Sequence, residues 1–141
     1  MRTLIALTLL ATPAVAWEFS PGLPCVLTHS TPQAEIELTY DPTQPLYTVT
    51  IRQDRPLDSA PVFAMRFDGD LPISIATDRH MPSRDGRSVT VSDRGFGNVL
   101  NGLQYNATAT AILGAAEVTF PLAGAAEPVA AFRACRPEAG V

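Results

Sequence analysis

The chain has 141 residues, of which 46% are apolar, and it carries 14 acidic against 10 basic side chains. The length and the apolar fraction predict one folded domain with a buried core and exclude a disordered chain. The acidic balance argues against a nucleic-acid-binding protein, because such proteins normally show a strong basic excess.

The first sixteen residues have the composition of an export signal. One arginine precedes an apolar run over residues 4–11, and residues 14–16 (Ala-Val-Ala) provide the small side chains that precede a cleavage site. The run is shorter than the roughly 20 apolar residues that cross a bilayer. We therefore expect cleavage near Ala16 and Trp17, no membrane span, and a single mature domain over 17–141 in the periplasm or outside the cell.

Cys25 and Cys135 are the only cysteines, and about 110 residues separate them. In an exported chain such a pair most simply forms a structural disulfide. Closing a loop of this length contributes on the order of 4–5 kcal/mol in the chain-entropy treatment. Two free thiols are the alternative. Since only two histidines accompany these cysteines, we expect no metal site and no cofactor.

Period-two alternation in the middle of the chain predicts short antiparallel strands. Apolar and polar residues alternate over 35–40 and again over 47–52, on either side of a proline-containing turn at 41–45. These two segments predict a hairpin. Further strands are predicted over 62–67, over 73–77, at Val89 and Val91 after an Asp85-Gly86 turn, and over 107–113 and 117–120, the last two as a pair.

Two segments break the strand pattern and predict short helices. Asp93 is a candidate N-cap for a helix that would end near Gly102. Pro128 lies near the start of a second helix within 124–135, whose apolar face would bring the second cysteine to the sheet. The sequence therefore predicts a mainly β fold: a small antiparallel sandwich or partly open barrel with one or two short helices, including a C-terminal helix. The disulfide would tie that helix to the start of the first strand at Cys25.

An arginine-rich stretch between two predicted strands is the first candidate binding surface. Arg79, Arg84 and Arg87 would extend from a hairpin tip that also carries His80. Arginine is a fork-shaped donor suited to phosphates and acidic glycans, so this tip could meet an anionic partner. The alternative is a solvated turn in which arginine and aspartate side chains pair locally.

The run 93–98 (Asp-Arg-Gly-Phe-Gly-Asn) is the second candidate. Beside Arg94, two glycines at a helix start would expose backbone N–H groups to an anion. The alternative is a tight strand-to-helix turn in which Phe96 is buried.

No catalytic constellation is visible in the sequence, and we assign no catalytic residue. The chain has no lysine, no Gly-x-Ser-x-Gly elbow, no His-Glu-x-x-His motif and no phosphate-binding loop. His29 and His80 have no nucleophile marked by a motif. A hydrolase site around Asp78, His80 and Asp93 remains an alternative, and it requires these side chains to converge in one pocket.

Four segments of the mature chain carry a family resemblance: 62–67 (Val-Phe-Ala-Met-Arg-Phe), 78–80 (Asp-Arg-His), 93–100 (Asp-Arg-Gly-Phe-Gly-Asn-Val-Leu) and 132–135 (Phe-Arg-Ala-Cys). On these segments the chain resembles a group of short exported alphaproteobacterial proteins without an assigned function. Some members carry the name of a DNA-repair excinuclease, which does not fit a short exported chain that lacks a phosphate-binding loop.

Residues 98–135 are more loosely similar to the C-terminal half of the invasion-associated locus B family, which consists of small exported β-sandwich proteins. The chain lacks the additional cysteines common in that family. This likeness therefore implies a fold and transfers no site residues.

A foldable core without a catalytic constellation favours a non-enzymatic exported module. We expect it to be a monomer and to bind a partner protein, an envelope component or a small ligand. The alternatives are a periplasmic hydrolase whose site no motif reveals, and an inhibitor of a secreted enzyme that presents residues 78–87 as a rigid loop.

Overall fold

The computed structural model describes residues 16–135. The predicted export signal thus lies outside the described residues, apart from Ala16, and its cleavage stays a prediction. The described chain contains ten strands and two helices: β1 Glu18–Ser20, β2 Cys25–Ser30, β3 Ala34–Asp41, β4 Leu46–Gln53, β5 Phe63–Gly69, β6 Ile73–Thr77, β7 Met81–Pro82, β8 Ser88–Asp93, α1 Gly97–Tyr105, β9 Asn106–Leu113, β10 Ala116–Pro121 and α2 Ala126–Arg133.

The strands form two antiparallel sheets, which confirms the predicted mainly β fold. The first sheet has the order β1-β2-β3-β4-β8-β7, and the second has the order β10-β9-β5-β6. Alternation predicts two hairpins, and both are present as β3–β4 and β9–β10. No helix within 16–135 is long and apolar enough to cross a membrane.

The core consists of the inward-facing residues of both sheets. Ile36 and Leu38 of β3 and Phe63, Met65 and Phe67 of β5 are fully or almost fully buried, whereas the residues between them are more exposed. Burying each such side chain stabilises the fold by about 1.5–3 kcal/mol. Period-two alternation is therefore the direct consequence of one sheet face being covered by the other layer.

One predicted pairing is wrong. The sequence pattern predicts a turn at Asp85-Gly86 that joins the strands 73–77 and 89–91, but β6 belongs to the second sheet and β8 to the first. The turn instead joins β7 to β8, and β7 pairs with only two residues of β8. The residues of a turn act locally, whereas the choice of partner strand depends on which sheet covers the apolar face. The sequence pattern therefore could not reveal that the chain crosses from the second sheet to the first between β6 and β7.

The start of α1 also differs from its prediction. The helix begins at Gly97, and Phe96 at the N-cap position makes no side-chain capping hydrogen bond. Asp93 is instead the last residue of β8, and its Oδ1 accepts a hydrogen bond from the backbone N–H of Arg94. The carboxylate is thus engaged at the end of β8. Asp93 lies three residues before the N-cap position Phe96 and therefore does not cap the helix.

The end of α1 lies beyond the predicted stop. Gly102 is buried inside the helix, and the helix continues to Tyr105. The amide Nδ2 of Asn106, the first residue of β9, then donates to the carbonyl oxygen of Gly102 at 3.0 Å. A side-chain cap at the helix–strand junction therefore ends the helix, and not the glycine that the sequence pattern indicates.

The C-terminal helix and the disulfide are both present. Val129 and Phe132 of α2 are buried, and α2 packs against β1, β2 and α1. Cys25 and Cys135 form a disulfide with their Cα atoms 6.5 Å apart. The bridge ties the end of α2 to the first residue of β2, as predicted, although the three-residue strand β1 precedes that strand. A disulfide is consistent with an oxidising, extracytoplasmic location.

Candidate functional site

A cleft of about 450 Å³ opens between the two sheets, beside β6 and β8 and in front of the start of α1. We call it the intersheet cleft. It is lined by Val49, Phe63, Arg79 and residues 75–77, 91–93 and 95–99.

The floor of the intersheet cleft is apolar. Phe63 and Phe96 are almost fully buried beneath it, and Ile75 and Val91 are half-buried at its sides. The ring of Phe96 stacks on that of Tyr47 with 5.3 Å between centroids. The floor is therefore part of the packed core, so a ligand would meet preformed apolar side chains.

The rim of the intersheet cleft is polar and charged. The Arg79 guanidinium lies 3.9 Å from the Asp93 carboxylate, and these side chains are 76% and 51% exposed. An ion pair at such exposure is worth less than about 1 kcal/mol, so either group is available to a ligand. At the same rim α1 begins without a side-chain cap and without an acidic residue in its first turn, so its first N–H groups carry uncompensated partial positive charge.

Two strand edges face this cleft without backbone partners among the described residues. β6 is the last strand of the second sheet and pairs only with β5. In the first sheet, β7 covers only Val89 and Thr90 of β8, so residues 91–93 pair only with β4. The cleft thus lies where each sheet leaves backbone donors and acceptors open.

A second, smaller cleft of about 370 Å³ contains Asp78 and His80. The ring nitrogen Nε2 of His80 lies 2.8 Å from the carbonyl oxygen of Ala60 and must therefore carry the proton. Its Nδ1 is buried without a hydrogen-bond partner among the described residues.

Asp93 lines the intersheet cleft and not the cleft of His80. The three side chains of the alternative hydrolase site therefore do not converge. Within residues 16–135 no hydrogen bond joins Asp78 to His80, and no three His, Cys, Asp or Glu side chains come together as a metal site.

The predicted arginine cluster is divided. Arg84 and Arg87 are exposed on the turn between β7 and β8, whereas Arg79 lines the intersheet cleft. On the turn, the Asp85 carboxylate accepts hydrogen bonds from the Ser83 hydroxyl and from the Arg87 backbone N–H, and these bonds lower the pKa of Asp85. The turn is thus internally braced, while Arg79 belongs to a different surface.

Arg94 lies next to the intersheet cleft. It follows Asp93 directly, is exposed, and precedes the cleft-lining Gly95. Of the five predicted binding residues, only Arg79 is among the described residues that line the intersheet cleft, and Arg94 lies beside it in the chain.

Sequence reasoning missed the floor of the cleft. Ile75 and Val91 occupy ordinary inward positions of alternating strands, and the sequence indicates Phe96 only as a buried turn residue. No local signal separates an apolar side chain that lines a cleft from one that is covered by the other sheet. The distinction depends on where the two sheets stop covering each other.

A groove of about 680 Å³ near the β10 edge is larger than the intersheet cleft. It is lined by Pro32, Gln33 and residues 53–55 and 117–119. Apart from Pro32 and Val118, its lining side chains are polar or charged, and none is aromatic. Ligand sites are typically apolar concavities with a few converging polar groups, so the intersheet cleft is the stronger candidate.

No protein-family model, no curated protein and no solved structure matches this chain. The candidate site is therefore supported by its geometry and chemistry alone.

Proposed function

We propose that this protein is an exported binding module that holds its partner in the intersheet cleft. The observation that carries the proposal is the combination of a packed apolar floor with a charged rim at a place where two strand edges lack backbone partners among the described residues. Such a concave site offers both buried apolar area and orienting polar groups.

The disulfide supports the proposed location. Structural disulfides persist in the periplasm and outside the cell, and they are rare in the cytoplasm. Membership in the group of short exported alphaproteobacterial proteins agrees with this location and is part of the same proposal.

Site-specific photocrosslinking tests the proposal. The purified domain carries a benzoyl-phenylalanine at Asn98, an exposed residue of the cleft rim in the first turn of α1, and is illuminated in an envelope extract of the source cells. We expect a discrete adduct at Asn98 that an excess of unlabelled protein removes. A Thr77→Trp competitor, whose side chain points inward beside Phe63 and fills the cleft from the β6 wall, should fail to remove it.

Two control positions locate the interaction. A photocrosslinker at Ser74, whose side chain points to the outer face of β6 and does not line the cleft, should give no discrete adduct. A photocrosslinker at Arg84 reports on the braced turn that the inhibitor hypothesis would use. Equal adducts at Ser74 and Asn98, or a discrete adduct at Arg84 alone, would contradict the proposal.

A further inference from the structure

We propose that the occupant of the intersheet cleft is an extended polypeptide segment of a partner protein, which adds to β6 as a new strand and presents a carboxylate to the cleft rim. This inference rests on the proposed function and deepens it by naming the chemistry of the ligand. It follows from three features of the cleft: its open strand edges, its apolar floor and its charge.

The open backbone edges match an extended polypeptide. β6 pairs with β5 through five consecutive residues, Ile73 to Thr77, and has no strand on its other side among the described residues. Alternate residues of such an edge direct their N–H and C=O groups away from the sheet. An added strand satisfies these groups, and residues 91–93 of β8, which β7 leaves uncovered, face it from the other wall.

The floor matches the side-chain pattern of a strand. Successive side chains of an added strand point alternately into and out of the cleft. Those that point inward would meet Phe63, Ile75, Val91 and Phe96, all of which line the cleft. Main-chain hydrogen bonds to the edge and apolar side chains at every second position are the usual features of recognition by strand addition.

The charge at the rim favours a carboxylate on the segment. The whole chain has a formal net charge of −4, yet the charged lining residues Arg79 and Asp93 balance each other, and the guanidinium is the more exposed of the two. The uncapped start of α1 adds partial positive charge at the same place. An acidic side chain on the segment would complement this surplus.

The other sheet edges do not offer the same combination. β10 is the opposite edge of the second sheet, and it borders the groove in which Pro32 and Val118 are the apolar lining residues. β1 and β7 are the edges of the first sheet, and they have three and two residues, against five in β6. The β6 edge is distinguished from these three by the apolar floor beside it.

A peptide selection followed by N-methyl scanning tests strand addition. Phage that display random linear 12-residue peptides are selected on the folded wild-type domain, after removal of those that bind the Thr77→Trp variant. A selected peptide is then synthesised with single N-methyl groups at successive positions. We expect affinity to fall at least tenfold at every second position, because each such N-methyl group removes a backbone donor that pairs with β6. Amide exchange measured by NMR should slow at alternate residues of 73–77 when the peptide binds.

Variants of the domain test the side-chain and charge requirements. Asn98→Trp should abolish peptide binding, whereas Ser74→Trp should leave the affinity within twofold because Ser74 lies outside the cleft. Arg79→Ala should weaken the binding of an acidic peptide about twofold to fivefold, the range of an exposed ion pair. Asp93→Asn should strengthen it by a similar factor.

The outcomes separate this inference from the proposed function. Failure to select any peptide, or N-methyl effects without a period of two, would overturn strand addition, while a discrete adduct at Asn98 would still support the cleft as a binding site. A dimer in sedimentation that Thr77→Trp dissociates would mean that a second copy occupies β6, and this would also overturn the inference. Absence of the Asn98 adduct would remove the proposed function itself.

Discussion

Gly102 shows how a single residue without a side chain allows α1 to approach the second sheet. It lies in the middle of the helix, where glycine is unfavourable by about 1 kcal/mol relative to alanine. A Cβ atom at this position would overlap the ring of Phe67, which is fully buried in β5. The close packing of helix on sheet therefore requires glycine here, against its local helix propensity.

We predict that Gly102→Ala destabilises the protein. Overpacking of a core typically costs about 1–3 kcal/mol, and the fully buried ring of Phe67 has little room to move. Urea unfolding followed by circular dichroism measures the change in the free energy of unfolding. Gly97→Ala is the matched control, since an added Cβ there meets nothing within 4 Å. A Gly102→Ala variant as stable as Gly97→Ala would show that the helix can shift away from Phe67.

The same residue illustrates a limit of sequence reasoning. The sequence pattern indicates a helix stop at Gly102 because glycine is common at that position. Only the position of Phe67, 35 residues earlier in the chain, explains why the glycine lies inside the helix. Arg79 is a similar case: its place at the cleft rim depends on the crossing between the sheets, which no neighbouring residue reveals.

At the scale of elements, the three-residue strand β1 is anchored at its start by Trp17. Trp17 is buried, and its Nε1 donates to the carbonyl oxygen of Pro121 at 2.9 Å. Its ring stacks on His29 of β2 with 4.7 Å between centroids. His29 is itself buried, and its Nδ1 has no hydrogen-bond partner among the described residues. Burial lowers the pKa of His29 below its ordinary value, and a hydrogen bond to the backbone of Ala16 opposes this shift.

This arrangement predicts a stability that falls on acidification. Because the folded pKa of His29 lies below the unfolded value of about 6.5, the unfolded chain binds the proton more readily. The contribution is fully present above the unfolded pKa and is lost as the pH falls through 6.5 towards the folded pKa. Unfolding by urea should therefore show a lower midpoint at about pH 5.5 than at about pH 7.5, on either side of the unfolded pKa.

His29→Phe is the matched variant, since it keeps an aromatic ring against Trp17 and removes the titrating group. We expect its urea midpoint to change much less between these two pH values. Asp41 and Asp85, whose pKa values hydrogen bonds lower, lose their contributions only below the ordinary carboxyl range. An equal pH dependence in the wild type and the variant would show that another group titrates in this window.

Strands and helices were predictable where the apolar–polar pattern and the turn residues indicate the same boundaries. The hairpins β3–β4 and β9–β10 and the helix α2 follow from alternation, short turns and three-residue apolar spacing. β1 and β7 were not predictable, because strands of three and two residues are too short to show alternation.

At the scale of the whole molecule, one covalent bond closes a loop that contains nearly all of the described chain. The disulfide joins residues separated by 110 positions, and it connects α2 to β2. Val129 and Phe132 of this helix are buried, and the Arg133 guanidinium donates to the side-chain oxygens of Asn101 and Gln104 of α1. The bridge restricts the unfolded chain and adds to this noncovalent attachment of α2.

We predict that the Cys25→Ala, Cys135→Ala double variant loses about 2–5 kcal/mol of unfolding free energy, the usual cost of removing a native disulfide from a small exported domain. Urea unfolding measures this loss, and hydrogen exchange should show that α2 exchanges faster than β3 and β4. Reduction of the wild type should reproduce the effect, while the reductant should leave the double variant unchanged. A double variant with wild-type stability would mean that packing alone holds α2.

The sequence by itself determined the fold class, the two main hairpins, the C-terminal helix and the disulfide. These features depend on local alternation, on turn residues and on the presence of two cysteines, all of which can be read directly from the sequence. Only the tertiary structure decided that β6 and β8 belong to different sheets, that Asp93 ends a strand, and that a cleft opens between the sheets. The physical reason is that strand partners and cleft floors are set by which surfaces cover one another, and this coverage involves residues far apart in sequence.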